Sequence, residues 1–229
     1  MIDLAYQRAI IPSFETLLKG RKTYKYWDEL EQSQWWPRER LEQWQFQRLK
    51  ELLDYCQQTS TYYRDAWSAL GLSARCLTSL ADFSRWPITS RDTMRDRAAD
   101  IRVHGPSLKV VTKSTGGSSG SPLRFVIDCD ANDRRVAASH RGYDWAGAAP
   151  GTRQSFLWGV NLQVASLRHR WKEQLYSRCL YRRDVLDSFG LSEDSIPKYV
   201  ARINRYRPRV LVAYTNPLFR LAQSIEQRQ

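Results

Sequence analysis

No pair of cysteines in this sequence is spaced for a metal knuckle or a redox motif. Cys56, Cys76, Cys129 and Cys179 stand far apart, with no Cys-x-x-Cys among them, so neither a zinc site nor a disulfide framework is indicated. That usage suits a reducing cytoplasm. Histidine is scarce as well. His104, His140 and His169 stand singly, and a lone histidine of that kind is read as structural rather than as a base. No catalytic residue and no metal ligand is therefore assigned. No apolar run reaches the ~18 residues of a membrane span. The first twenty residues are broken by Asp3, Arg8 and Glu15, which is not the pattern of a signal peptide. Internal repeats and low-complexity tracts are also missing.

Acidic charge is the minority. Lys and Arg number 36 against 24 Asp and Glu, a net charge of +12. Such a balance raises nucleic acid or an anionic surface as a partner. The arginines, however, are scattered from Arg8 to Arg228 and interleaved with acids, as in Arg91-Asp92 and Arg95-Asp96-Arg97. No basic strand carries interleaved aromatics, and no recognition helix is evident. A solvated basic surface is the expectation, and nucleic acid is not the expected partner. A basic nucleic-acid-binding or scaffold protein stands as the alternative reading.

The chain has 229 residues, 42 % of them hydrophobic, enough for one or two domains with a core. Residues 1–37 are rich in aromatics. Tyr24, Tyr26, Trp27, Trp35 and Trp36 suit either a substrate surface or the packing of this segment onto the body. Pro37 offers a helix start, and 38–58 reads as a long helix with Phe46, Leu49, Leu53 and Cys56 on one face. Thr89 or Ser90 can cap a further helix at Arg91. Residues 131–147 have helical spacing through Val136, Ala137, His140, Tyr143 and Ala146. Residues 155–160 read as a buried strand. Ser192-Glu193-Asp194 opens a helix bearing Ile196, Tyr199, Val200, Ile203 and Tyr206. Residues 209–214 form a continuous apolar strand of the kind buried on both faces of a parallel sheet. Asn216 and Pro217 start a last helix with Leu218, Leu221, Ala222 and Ile225. Strand, helix, strand, helix in this order predicts an α/β fold with a mostly parallel sheet.

Between two stretches of period-two alternation, at Leu108, Val110 and Thr112 and at Leu123, Phe125 and Ile127, lies Ser114-Thr115-Gly116-Gly117-Ser118-Ser119-Gly120-Ser121-Pro122. The pattern is strand, loop, strand. Three glycines let the backbone approach a ligand, and hydroxyls with unpaired N–H groups can cradle phosphate oxygens. A plain Gly/Ser turn would look the same in composition. A Walker loop is excluded, because Gly120 is followed by Ser121 and Pro122 and then by a strand rather than a helix. The dinucleotide fingerprint fails for the same reason.

This loop resembles the phosphate loop of the adenylate-forming (AMP-binding) superfamily, in the form found in its phenylacetate–CoA ligase and capsular-polysaccharide biosynthesis branch. The stretch Leu80-Ala81-Asp82-Phe83-Ser84-Arg85-Trp86-Pro87-Ile88-Thr89-Ser90, following Tyr62-Tyr63-Arg64 and preceding the loop, is similar to the same branch. The resemblance implies a helical N-terminal portion, 1–105, followed at 106–229 by the first half of an AMP-binding domain. It implies ATP and Mg²⁺ as cofactors, a small-molecule carboxylic acid and CoA as substrates, and a link to polysaccharide biosynthesis. Ser114, Thr115, Gly116, Gly117, Ser118, Ser119, Gly120 and Ser121 would then hold phosphate. The branch's loop lysine is replaced here by Ser121 or Leu123, which leaves Arg124 or Lys113 as the basic contact. Trp158 and Gly159 are candidates for the wall of the acyl pocket. The family's aromatic–Gly–x–Thr–Glu motif, ribose-binding aspartate and C-terminal lysine domain have no counterpart in the sequence. The expectation is thus an N-terminal fragment, inactive alone, or a degenerate partner subunit, with an unpaired strand edge at 210–214 that invites self-association.

Overall fold

A computed structural model describes residues 2–102, 109–115, 122–159 and 167–227. They pack into two compact units, 1–27 with 136–229, and 28–135.

Unit 28–135 is built on the long amphipathic helix anticipated from its spacing. Short helix α1 (Thr23–Ser33) leads to Pro37, and α2 runs over Arg38–Thr59. Its Leu53 is buried with Trp67, Leu72, Leu77 and Trp86, and Phe46, Leu49 and Cys56 pack alongside on the same face. Ser60 stops α2 and starts α3 (Thr61–Ser68), its hydroxyl accepting the Tyr63 N–H. Ser90 does the same for α4 (Arg91–Asp96), accepting the Thr93 N–H at 3.1 Å; α5 (Ala98–Ile101) follows. Strands β1 (Val110–Ser114) and β2 (Arg124–Asp128) form an antiparallel ribbon. Asp128 then accepts the Ala131 N–H at 2.7 Å and so caps α6 (Cys129–Trp145), which runs out of this unit. Not all the early aromatics pack: Tyr26 is buried, whereas Trp35 is 82 % exposed.

The other unit holds a parallel sheet of order β4-β3-β5, with β3 at Gln154–Trp158, β4 at Arg183–Asp187 and β5 at Val210–Ala213. Helix α7 (Leu167–Cys179) joins β3 to β4, and α8 (Ile196–Tyr206) carries the chain over β3 to its far edge. Helix α9 (Thr215–Glu226) follows β5. Leu157 and Leu186 point to one face, where Ile196, Tyr199, Val200, Ile203 and Leu221 from α8 and α9 cover them. On the other face the Tyr143 ring of α6 meets Phe156 edge-on at 6.2 Å. Strand β5 departs from expectation. It borders β3 alone among the described strands, so each of its residues is half-buried rather than enclosed. The start of α8 also differs: Ser195, not Ser192, ties the turn, its hydroxyl accepting the Ser192 N–H at 2.8 Å.

The N-terminal segment, a run of turns of alternating α and wider i→i+5 pitch from Ile2 to Leu18, belongs to this unit. Buried Glu15 accepts from Tyr181 and from Arg21, Asp3 pairs with Arg182, and Gln7 donates to Thr152 at 3.0 Å. Gly151, at φ +90°, lies so close that a Cβ there would stand 3.0 Å from both the Gln7 nitrogen and the Tyr6 Cβ. His140 packs edge-on against Trp27 at 5.7 Å and near Tyr24 at 6.2 Å.

Two stability outcomes follow. Leu157 is fully buried at the centre of the sheet, so Leu157→Ala should lower unfolding free energy by about 2–5 kcal/mol in urea titration. The His140 imidazole is held down at about 4, first by burial and then by the Arg183 guanidinium, against 6.5 in an open chain. The unfolded state therefore takes up the proton first as pH falls. Stability complete above pH ~6.5 should be lost progressively toward pH ~4, at no more than about 1.4 kcal/mol per pH unit. Asp82, held down at about 2 by Thr78 and Ser79, acts only at lower pH and does not confuse the window. Thermal melts of His140→Phe should show that dependence flattened between pH 7 and 4; an unchanged slope would assign it elsewhere.

Candidate ligand site

Parallel strands end together, and their carboxyl ends are where a sheet of this type leaves a crevice. With strand order β4-β3-β5, the connections out of β3 and into β5 lie on opposite sides, and the switch falls between those two strands. Trp158, the last residue of β3, and Tyr214, the first after β5, stand at that point. Their rings stack with centroids 4.0 Å apart and planes 21° apart, both partly exposed. Phe189, past the end of β4 and 80 % exposed, leans over Gly159; a Cβ on that glycine would come within 2.6 Å of its ring. The Asp187 carboxylate fixes the turn by accepting the Phe189 N–H at 3.0 Å, and the Tyr199 hydroxyl donates to the Asp187 carbonyl at 2.9 Å. Burial, with Asp187 second, pushes the Tyr199 phenol up, so it stays a donor. The result is a flat aromatic surface with a carboxylate at its rim, suited to a planar or apolar group.

The loop expected to hold phosphate belongs to the other unit. Gly116, Gly117, Ser118, Ser119, Gly120 and Ser121 lie outside the described residues. Its mouth is closed by Thr115 and Leu123: the Thr115 N–H donates to the Leu123 carbonyl, and the Thr115 hydroxyl accepts the Leu123 N–H, both at 3.0 Å. Ser114 ends β1 directly opposite Arg124, the first residue of β2. Opposed residues of a ribbon share a face, so Arg124 stands with Ser114, whereas Lys113 shares the opposite face with Phe125. Of the two cations considered from sequence, Arg124 is the one on the face of the loop hydroxyl. Among the described residues no three His, Cys, Asp or Glu side chains converge as a metal site.

Sequence reasoning reached Trp158 and Gly159 but missed Phe189 and Tyr214. The signal for both was available in the rule that the first residues after parallel strands line the crevice; strand order, which brings them together, was not.

No family model matches the chain. It is 21 % identical over 210 residues to Protein CapK of Staphylococcus aureus, a match covering 91 % of this chain and 45 % of that protein. It is 28 % identical over 196 residues to phenylacetate-coenzyme A ligase of Thermus thermophilus, covering 84 % of this chain and 42 % of the ligase. Among solved structures it superimposes on 2-hydroxyisobutyryl-CoA ligase in complex with 2-HIB-AMP and CoA. The TM-score is 0.61 at 21 % identity, over 83 % of this chain and 40 % of that one. An open conformation of the same ligase gives 0.60 at 19 % identity. The resemblance read from the loop holds: the relatives are adenylate-forming proteins, and the fold is the α/β fold of acyl-CoA ligases. The chain spans less than half the length of the curated relatives it matches.

Gly159→Ala tests the aromatic surface. The displaced group is the free end of an exposed ring, so Tm should move by no more than about 3 °C. The Phe189 ring should nevertheless shift, seen by NMR of labelled phenylalanine. A large loss of stability would mean that Phe189 is anchored rather than poised.

Proposed function

We propose that this chain is the phosphate- and acyl-handling part of an ATP-dependent acid–CoA ligase of the phenylacetate–CoA ligase type, in a cytoplasmic, polysaccharide-related setting. The observation that carries the reading is the Ser/Gly loop, hydrogen-bonded shut at its mouth, in a chain similar to two proteins of that kind over 91 % and 84 % of its length. In this reading Ser114, Thr115 and Arg124, with residues 116–121, hold the β- and γ-phosphate oxygens of ATP. The Thr115 hydroxyl, already accepting from Leu123, has its own hydrogen left to donate. Trp158, Tyr214, Phe189 and the open face of Gly159 receive the acyl group. A substrate carboxylate attacks the α-phosphorus, pyrophosphate departs, and donors fixed in advance stabilise the charge that develops. CoA takes the acyl group afterwards in the complete enzyme.

Mg²⁺ neutralises phosphate charge in such chemistry, but the described residues offer no carboxylate cluster to hold it. The 229-residue chain alone should therefore bind ATP weakly and form no acyl-adenylate at a useful rate, since losing one preorganised contact costs about 10²–10³-fold. The measurement is ATP binding by calorimetry together with pyrophosphate release, with Mg²⁺ and a panel of aryl and fatty acids, against Gly117→Asp. ATP binding is expected to be lost in the variant. Equal binding by both would remove the loop from the site, and turnover above the variant would show the chain to be active alone.

A further inference from the structure

The segment from Ile2 to Leu18 repeats at close to four residues, because its α turns of about 3.6 alternate with wider i→i+5 turns. Every fourth side chain therefore keeps one direction. Asp3, Gln7, Ile11 and Glu15 make the inward line: Asp3 pairs with Arg182, Gln7 donates to Thr152, Ile11 is buried, and Glu15 accepts from Tyr181 and Arg21. The neighbouring line, Ile2, Tyr6, Ile10, Phe14 and Leu18, is apolar throughout. Tyr6 and Phe14 tie it to the end of α7. The Tyr6 hydroxyl donates to the Cys179 carbonyl at 3.2 Å, and the Phe14 ring meets Tyr176 edge-on at 5.4 Å. The other members of the line stay out: Ile2, Ile10 and Leu18 are exposed, and so are Leu4 and Leu17 on the turns around them and Leu175 on α7. Leu17 and Leu18 keep 79 % and 77 % of their surface in water. These side chains form a ridge, not the scatter of single exposed residues that any protein shows.

The sign of the charge around the ridge decides what it suits. The acids of residues 2–22 are Asp3 and Glu15, both on the inward line and both paired. The charges that the segment leaves most open, Arg8, Lys19 and Lys22, are all positive. The Lys19 ammonium stands 5.6 Å from the Phe14 ring centre and 5.8 Å from that of Tyr176, where it can stay in water while the rings beside it are covered. On α7 Arg178 is exposed at the same end, and Glu173 is the one acid among the described side chains of that helix. A second copy would bring these cations against their own images. A bilayer with anionic headgroups meets both halves of the surface, taking leucine and isoleucine among its acyl chains and cations among its phosphates. We infer that this face docks on an anionic phospholipid bilayer, with the 2–18 segment lying in the plane of the interface. Among the described residues no helix is long and apolar enough to cross a membrane, so the attachment is to one leaflet. Leu17 and Leu18 enter the boundary between headgroups and acyl chains, and Arg8, Lys19 and Lys22 remain at the level of the phosphates. The inference does not rest on the ligase reading.

The test is co-sedimentation of the purified 229-residue chain with vesicles of phosphatidylcholine and phosphatidylglycerol in equal parts, and with vesicles of phosphatidylcholine alone. Partition onto the anionic vesicles is expected, weakened by added salt, with little onto the neutral ones. Leu17→Gln combined with Leu18→Gln leaves the charge unchanged and should weaken partition about tenfold or more. Arg8→Gln combined with Lys19→Gln should weaken it about fivefold or more. The same loss of charge at exposed Arg75 and Arg85 of the other unit, by Arg75→Gln with Arg85→Gln, should change it by less than about twofold. All six side chains are exposed, so circular dichroism and Tm should match the parent. Failure to partition overturns the inference. Indifference to the leucine pair does so too, because binding would then come from the long-range field of a chain of net charge +12. A dimer of the chain in solution that the leucine pair disrupts gives the ridge to a second copy and overturns it equally.

Discussion

Strand β3 is paired along both edges and enclosed over most of its length, and the unit around it follows from that. Ser155 and Leu157 are fully buried, β4 and β5 take both backbone edges, and helices lie against both faces. A strand so enclosed keeps its backbone groups satisfied only while both neighbours are in register, so the positions of β4 and β5 are obligatory rather than favourable. What remains open is its carboxyl end, where Trp158 emerges partly exposed. The Trp158–Tyr214 stack stands at that end.

The same enclosure exacts an electrostatic condition one strand away. Asp184, in β4, has no exposed surface, and its carboxylate is gripped by Arg202 through two nitrogens at 2.7 and 2.9 Å and by Arg178 at 2.9 Å. Removing a carboxylate from water costs several kcal/mol, and pairing at best balances that cost. The cluster is therefore better understood as fixing position than as adding stability. Arg202 comes from α8 and Arg178 from α7, so one buried oxygen pair sets where both crossover helices stand relative to β4. Replacing both arginines with apolar residues would leave the buried Asp184 charge without a cation, whereas neighbouring leucines exchange volume more gently.

How much of this the sequence disclosed depended on distance along the chain. The α2 face at Phe46, Leu49, Leu53 and Cys56, the ribbon around the Ser/Gly loop and the Ser90 cap all rest on neighbours within a few residues, and periodicity or capping chemistry reads such neighbours directly. The resemblance of the loop pointed to the relatives and to the fold class. The contacts of Glu15 with Tyr181 and of Asp3 with Arg182 span most of the chain, and nothing in local pattern ranks a distant tyrosine or arginine as a partner. For the same reason 1–27 joins the sheet-bearing unit although it precedes 28–135. The Trp158–Tyr214 stack was hidden by strand order: the two rings meet only because the chain returns to the far side of β3. The edge position of β5 was expected, but its half-burial was not, because an apolar run looks alike at the centre of a sheet and at its edge.

The basic composition can now be weighed against the site. ATP carries about four negative charges, and transferring its α-phosphorus needs cations and donors fixed within hydrogen-bond reach. A net charge of +12 does not supply that. Beyond a Debye length of about 8 Å at physiological salt, scattered arginines act as a screened field that hastens encounter and contributes little to one phosphorus atom. Beside the loop, among the described residues, Arg124 stands on the ribbon face of Ser114. Many arginines of this chain are already committed elsewhere: Arg178 and Arg202 to Asp184, Arg182 to Asp3, Arg40 to the Trp36 ring at 3.8 Å. Attracting an anion and fixing it in place are thus separate properties of this charge distribution.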